Sequence, residues 1–352
     1  MAPLLRIEDL RTQFFTSRGV VHAVDGVSLH VDEGETLGIV GESGCGKTMT
    51  ALSILRLVPD PGRIVSGHIW FRDRDVVAMD HERIREFRGN DVAMIFQDPM
   101  TSLNPVTRVG SQIQEAMTAH ERFSAHDATA RVVPLLRRVR IPAAERRTQD
   151  YPHQFSGGMR QRVMIAMALM CEPALLVADE PTTALDVTVQ AQIIQLLRQL
   201  NRELGTAIML ITHNMALVAS LCSRIVVMYA GRVVEEGPAE QIFRSPQHPY
   251  TWSLLRSVPR VDAARQQRLV SIAGLPPDLV RLPPGCKFHP RCAFRVDRCS
   301  EEEPPLGEVA SRQVARCWVL MRNVPEEAEG RLQGAVASIE AARELKEAVD
   351  GG

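Results

Sequence analysis

Residues Gly41-Glu42-Ser43-Gly44-Cys45-Gly46-Lys47-Thr48 match the pattern G-x-x-x-x-G-K-[ST] at every fixed position. The chemistry is phosphate binding. Glycines let the backbone curl so that several N–H groups point inward, and a helix start adds the positive end of its dipole. Lys47 is suited to reach the β- and γ-phosphates, and the Thr48 hydroxyl to hold Mg²⁺. The run Leu175-Leu176-Val177-Ala178-Asp179-Glu180 is apolar and ends in two acids. Alone, the pair reads equally as surface acids at a strand end. In a chain with a P-loop, Asp179 becomes a Mg²⁺ ligand and Glu180 a group that polarises the attacking water. Ser156-Gly157-Gly158 opens a helical pattern and offers a second anion-binding turn. Cys286, Cys292, Cys299 and Cys317 are spaced C-x5-C-x6-C-x17-C, unlike the paired C-x-x-C of most zinc ribbons. Four thiolates are the ligand set of a 4Fe–4S cluster; zinc fits the same count, and unligated thiols are the third reading. Lys287, Arg291, Arg295, Arg298 and Arg316 lie close in sequence and could partly offset an anionic cluster.

The elements that must position these groups are legible in outline. Residues 36–40 read as a short buried strand and 49–57 as a helix, so the glycine loop has the strand–loop–helix setting it needs. Strands are predicted over 4–10, 20–31, 66–71 and 92–96, with turns at 16–19 and 32–35. From 98 the pattern turns helical and arginine-rich, which predicts a helical subdomain over about 98–165 inserted in an α/β core. Helix and strand alternate from 157 to 235, the rhythm of a mostly parallel sheet with crossover helices. Residues 246–310 hold a dense set of prolines and read as a loop-rich region. In the tail, Leu332, Val336, Ile339, Ala342, Leu345 and Val349 form a weak helical stripe, either a packing face or part of a disordered end. The expected division is 1–245, 246–325 and 326–352.

Bulk properties exclude some classes. The 352 residues are 45% hydrophobic and 24% charged, as in a folded soluble protein. A net charge of −1 gives no basic field for wrapping nucleic acid. No apolar run approaches the about 20 residues that span a bilayer. The start, Met-Ala-Pro-Leu-Leu-Arg, lacks the pattern of a signal peptide, so a cytosolic chain is expected, with any membrane role supplied by partners. In that reducing setting, clustered cysteines suggest metal rather than disulfides.

Together the motifs resemble the nucleotide-binding subunit of an ABC transporter. Its signature usually reads Leu-Ser-Gly-Gly-Gln; here Phe155-Ser156-Gly157-Gly158-Met159 keeps the Ser and both glycines. Gln97 matches the Q-loop, Asp186 in Pro181-Thr182-Thr183-Ala184-Leu185-Asp186 the D-loop, and His213 the switch histidine. The resemblance covers residues 4 to about 245. It implies a P-loop α/β domain of mixed, mostly parallel sheet with a helical subdomain, followed by a small cysteine-containing region. It implies ATP and Mg²⁺ as ligands, with Thr48, Gln97 and Asp179 at the metal, and Glu180, His213 and Gln97 as catalytic groups. It also implies an aromatic ring stacked on adenine; Phe14, Phe15 and His22 are the candidates, and the sequence does not choose among them.

Ser245-Pro246-Gln247-His248-Pro249-Tyr250-Thr251, Val40-Gly41-Glu42-Ser43-Gly44 and Phe96-Gln97-Asp98-Pro99-Met100-Thr101-Ser102-Leu103-Asn104-Pro105 resemble the dipeptide and oligopeptide importer branch. That branch implies a complex of two ATPase subunits, often different chains, with two membrane permeases and an external substrate-binding protein. The chain would then sit peripherally on the cytoplasmic face of the membrane, with residues near 98–155 receiving the permeases. Peptides are the default cargo, and nickel and glycoside importers use the same ATPase type. Two rivals are a soluble ABC ATPase acting on nucleic acid or ribosomes and a metal- or redox-sensing regulator. The first usually has two cassettes or a long coiled-coil insertion, which this chain lacks; the intact ATPase set argues against the second. Related peptide-importer ATPases carry an iron–sulfur cluster in the cysteine region, which implies a structural 4Fe–4S cluster here.

Overall fold

Alternating burial builds the first strand. β1 (Leu5–Thr16) buries Leu5, Ile7, Leu10 and Thr12. It runs past the predicted 4–10 as an interior strand of its sheet, and its buried Thr12 hydroxyl meets the Ser53 hydroxyl at 2.8 Å. A turn at 17–18 leads to β2 (Gly19–Val31). β3 (Thr36–Val40) is buried at all but its first residue and enters the glycine loop, after which α1 spans Lys47–Ile54. β4 (Gly62–Phe71) extends the predicted 66–71, and the order β2-β1-β4 makes a small sheet. The computed structural model describes residues 2–97, 102–120, 124–183, 185–257, 272 and 274–323. The stripe at 332–349 and residues 98–101 of the importer-like segment lie outside them.

β5 (Arg74–Asp75) and α2 (His81–Asn90) precede β6 (Val92–Ile95). The predicted helical subdomain then contains α3 (Val109–Thr118), α4 (Ala125–Arg138), α5 (Ala144–Arg147), a 3-10 turn (Pro152–Gln154) and α6 (Gly157–Leu169). α3 packs on α4 and α6. Val109, Ile113 and Met117 of α3 are buried, as are Val132 and Leu136 of α4 and Val163 and Ile165 of α6. β7 (Leu175–Asp179), α7 (Val187–Leu204) and β8 (Ala207–Thr212) follow. β6, β7 and β8 pair in parallel, with Ile95 opposite Ala178 and Asp179 opposite Ile211. Every residue of β7 and β8 is buried, which is why both read as continuous apolar runs rather than alternating ones.

α8 (Met215–Leu221) leads to β9 (Arg224–Tyr229), which pairs in parallel with β3. β10 (Arg232–Pro238) is antiparallel to β9 and is followed by α9 (Ala239–Arg244) and α10 (Pro249–Arg256). After the short α11 (Arg298–Glu301), β11 (Gly307–Ala310) and β12 (Gln313–Ala315) form a hairpin, and β12 pairs with β10. The sequence pattern showed no strand there, because β11 and β12 are too short to display a period.

One buried acid explains how this late region is held. Glu235 of β10 is fully buried and accepts from the backbone N–H groups of Gln247 (2.7 Å) and His248 (2.9 Å) and from Gln313 Nε2 (2.8 Å). It therefore ties the start of α10 and the β12 strand to β10, and burial pushes its pKa up.

The chain partitions into two compact units. Met1–Leu5, Val31–Thr36 and Phe71–Ile211 form one, and Arg6–His30, Leu37–Trp70 and Thr212–Gly352 form the other. The first holds β6 to β8 and the helical subdomain; the second holds the P-loop and the cysteine region. Among the described residues, no helix is long and apolar enough to cross a membrane.

Candidate nucleotide site

In the P-loop unit, buried β3 delivers the chain into the loop and α1 begins at Lys47. Lys47 is 5% exposed and folded back across the loop, donating to the carbonyls of Gly41 (2.8 Å) and Glu42 (2.9 Å). Gly44 has φ +79°, and nothing lies within 4 Å of where its Cβ would stand. The loop thus keeps open space that any other side chain would fill, beside the start of a helix and a folded-back ammonium. That arrangement fits a polyphosphate. The Cys45 thiol is buried, which pushes its pKa up despite Lys47 nearby, so it stays neutral within the loop.

His213 is exposed just beyond β8. The turn that presents it is fixed on both sides: Asn214 N–H donates to the Thr212 hydroxyl, and the Asn214 side chain caps α8 by accepting from Ala216 N–H. Among the candidate adenine partners, Phe14 packs where a side chain on Gly62 would collide with its ring. Phe15 lies exposed under the Arg63 guanidinium, 4.2 Å from the ring centroid, and His22 pairs with Gln13.

In the other unit, Asp179 closes β7 at 3% exposure. Glu180 follows in the left-handed region at φ 45°, a conformation that costs a non-glycine residue energy and concentrates at functional sites. Its N–H donates to Ile211 O at 2.8 Å, and its Oε2 accepts from Gln97 Nε2 and Thr183 Oγ1, both at 3.0 Å. The parallel pairing of β6 with β7 brings the Gln97 and Glu180 turns side by side. The structure therefore joins Gln97 to Glu180, residues that belong to separate motifs in the sequence.

Ser156 caps α6, its hydroxyl accepting from Met159 N–H at 3.4 Å. A Cβ on Gly158 would stand 2.7 Å from Val189 of α7, so close packing fixes this glycine irrespective of ligand. Phe155, where the signature usually has Leu, is an apolar side chain only 3% exposed. Asp186 caps α7 through Val189 N–H at 2.9 Å.

The expected metal cage is not supported. Cys286, Cys292, Cys299 and Cys317 are free and share one neighbourhood. Burial first, and the neighbouring cysteines after it, push the Cys286 thiol up to about 11 and the Cys292 thiol up to about 12. Among the described residues, however, no three His, Cys, Asp or Glu side chains are arranged to hold a metal ion. The donors suit iron–sulfur or zinc by type, but their arrangement does not make a cage. Several basic residues nearby are engaged by carboxylates instead. Lys287 reaches Glu303 (3.5 Å), Arg298 reaches Glu302 (2.7 Å), Arg316 reaches Glu303 (3.7 Å) and Arg291 reaches Glu42 (2.6 Å).

The last of these pairs is a contact that sequence reasoning missed, although both residues were singled out. Arg291 and Glu42 are 249 positions apart. Tyr250 joins them, its hydroxyl accepting from Glu42 N–H at 2.7 Å.

Comparison with known proteins gives the family. The family described as ABC transporter matches residues 24–183, and that described as oligopeptide/dipeptide transporter, C-terminal region, matches residues 234–299. A probable peptide ABC transporter ATP-binding protein of Sinorhizobium fredii is 51% identical over 316 residues, covering 90% of this chain and 94% of that one. The oligopeptide transport ATP-binding protein OppD of Escherichia coli is 49% identical, with 90% and 93% covered. Among solved structures, a dimeric ATP-binding cassette in a post-hydrolysis state with ADP and Pi superposes with a TM-score of 0.59 at 26% identity, covering 67% of this chain and 98% of that one.

Proposed function

The chain belongs to the ABC transporter ATP-binding family, and from that premise we propose that it is the ATP-hydrolysing subunit powering import of di- and oligopeptides through a membrane complex. The family brings ATP as substrate and permease and substrate-binding partners in general. The relatives named for peptide transport and the matched C-terminal region support peptides as cargo. A nickel or glycoside cargo is the alternative within the same ATPase role. The pair of ATPase subunits, the two permeases and the extracytoplasmic binding protein belong to this proposal, as does peripheral attachment at the cytoplasmic face.

In this reading the backbone of 41–48 and the Lys47 ammonium hold the phosphates. Thr48, Gln97 and Asp179 would hold Mg²⁺, which would supply positive charge against the phosphates. Glu180 takes the proton of the attacking water, Gln97 and Thr183 keep its carboxylate oriented, and His213 contacts the γ-phosphate end. Ser156, Gly157, Gly158 and Asp186 face the nucleotide of the second ATPase subunit.

The observation that carries hydrolysis is the Glu180 carboxylate at the end of a buried strand, where it accepts from Gln97 and Thr183. Glu180→Gln in the assembled complex tests it. ATP binding persists, turnover falls by about 10²-fold or more, as for loss of a general base, and a nucleotide-bound dimer accumulates. Unchanged turnover removes Glu180 from that role. Co-purification with integral membrane permeases, followed by uptake of labelled peptides, tests the cargo.

The iron–sulfur centre is a separate proposal that stands on the family resemblance alone. Protein isolated without oxygen that is brown, with about four irons per chain, upholds it; colourless protein removes it.

A further inference from the structure

We propose that Arg291 is a positioning residue for the nucleotide site, holding the Glu42 carboxylate away from Lys47 and keeping the P-loop competent for phosphate. This rests on the reading of residues 41–48 as an ATP site.

The geometry is a bidentate fork. Arg291 donates one arm to Glu42 Oε2 at 2.6 Å and the other to Glu42 Oε1 at 2.9 Å. The arginine side chain is 5% exposed and the glutamate side chain 25%, so solvent screens the pair weakly. The fork's first arm also reaches the Tyr229 hydroxyl at 3.3 Å. Tyr229 and Tyr250 are fully buried, with ring centroids 4.6 Å apart, and both pack on Phe288. Their hydroxyls are thereby held in place, one against Arg291 and the other on the Glu42 N–H. Arg291 sits on a 3-10 turn (His289–Arg291) beginning just after Phe288, so the packed ring also fixes the backbone that carries the guanidinium.

The need for such a clamp follows from charge. Glu42 is a carboxylate within a loop whose function is to receive several negative charges. Lys47 already donates to the Glu42 carbonyl at 2.9 Å. Released from Arg291, the carboxylate becomes the strongest acceptor within that ammonium's reach, because charge-assisted contacts outrank carbonyls. It would then compete with the phosphates for Lys47 and repel them as well. Arg291 removes both effects, and only an arginine matches the planar two-oxygen geometry.

The role acts through Glu42, so removing the Glu42 charge must relieve its loss. The test is calorimetric titration of full-length protein with MgATP, alongside thermal melts. Wild type binds and Lys47→Ala binds at least about tenfold more weakly, which upholds the ATP reading; wild type that fails to bind overturns that reading and the clamp together. Arg291→Gln weakens ATP binding about tenfold, the equivalent of one charge-assisted contact. Glu42→Gln combined with Arg291→Gln restores affinity to within about threefold of wild type, even if the melting temperature stays low. Arg291→Gln binding ATP as tightly as wild type overturns the clamp alone. A loss that the double variant fails to relieve also overturns it, and assigns Arg291 to folding only.

Discussion

The P-loop and the end of β7 each carry one glutamate, and the two meet different kinds of donor. Glu42 is gripped by both arms of a buried guanidinium, and its charge is neutralised. The Glu180 carboxylate accepts from an amide and a hydroxyl, those of Gln97 and Thr183, which orient it. A guanidinium beside a carboxylate favours the charged form and so opposes uptake of a proton. A group that must take a proton is therefore better held by neutral donors. A group that would only obstruct an anion is better neutralised.

The largest effect that would break this contrast is on the Glu180 side. Glu180→Gln keeps the neutral donors and removes the base, and single-turnover hydrolysis should fall by about 10²-fold or more with ATP still bound. Next comes Lys47→Ala on the Glu42 side. It removes a charge from the β- and γ-phosphates, and equilibrium binding should weaken at least about tenfold, with transport lost. Thr183→Val is smaller and sharper. It takes one neutral hydrogen bond from Glu180, so kcat should drop about fivefold while KM for ATP holds, whereas a change confined to KM would separate Thr183 from the base.

The smallest effect is a pH dependence belonging to the Glu42 side. His248 is fully buried, and its Nδ1 accepts from Tyr250 N–H at 3.0 Å, at the start of the helix that carries the Glu42-binding tyrosine. Burial pushes its pKa down to about 3. Between about 3 and 6.5 the unfolded chain binds the extra proton, so stability rises with pH across that window and is lost on acidification. At pH 6 this costs about 1 kcal/mol relative to neutral pH. Melting curves at pH 6 and 7.5 should differ less for His248→Asn than for wild type, and equal differences would exclude His248 as the source.

Much of this site was legible because its motifs are short and locally complete. Gly41 to Thr48 and Leu175 to Glu180 each contain a strand, a turn and the reactive groups within a few residues. The helical subdomain was legible from its 3.6-residue pattern, though Gly158 owes part of its identity to Val189 packing that no pattern displays. What escaped reading was long-range pairing. Arg291 was read as a counter-charge for a metal cluster because the nearest chemistry in sequence was cysteine; in space its partner is Glu42. The β11–β12 hairpin escaped because its strands have four and three residues, too few to show alternation. The four cysteines were correctly read as neighbours, yet spacing alone carries no angular information, and the cage was not there among the described residues.

Glu235 bears on where this protein can be divided. The ABC transporter match ends at residue 183, and the nucleotide motifs are complete by His213, so a chain cut after Arg244 would retain every reactive group discussed. It would still be crippled. The cut would strip Glu235 of the donors from Gln247, His248 and Gln313 and open a buried carboxylate to water, while Glu42 would lose both Arg291 and Tyr250. The last third of the chain is thus no severable appendage: two acids, one at each end of the ATPase sequence, have been left for it to satisfy.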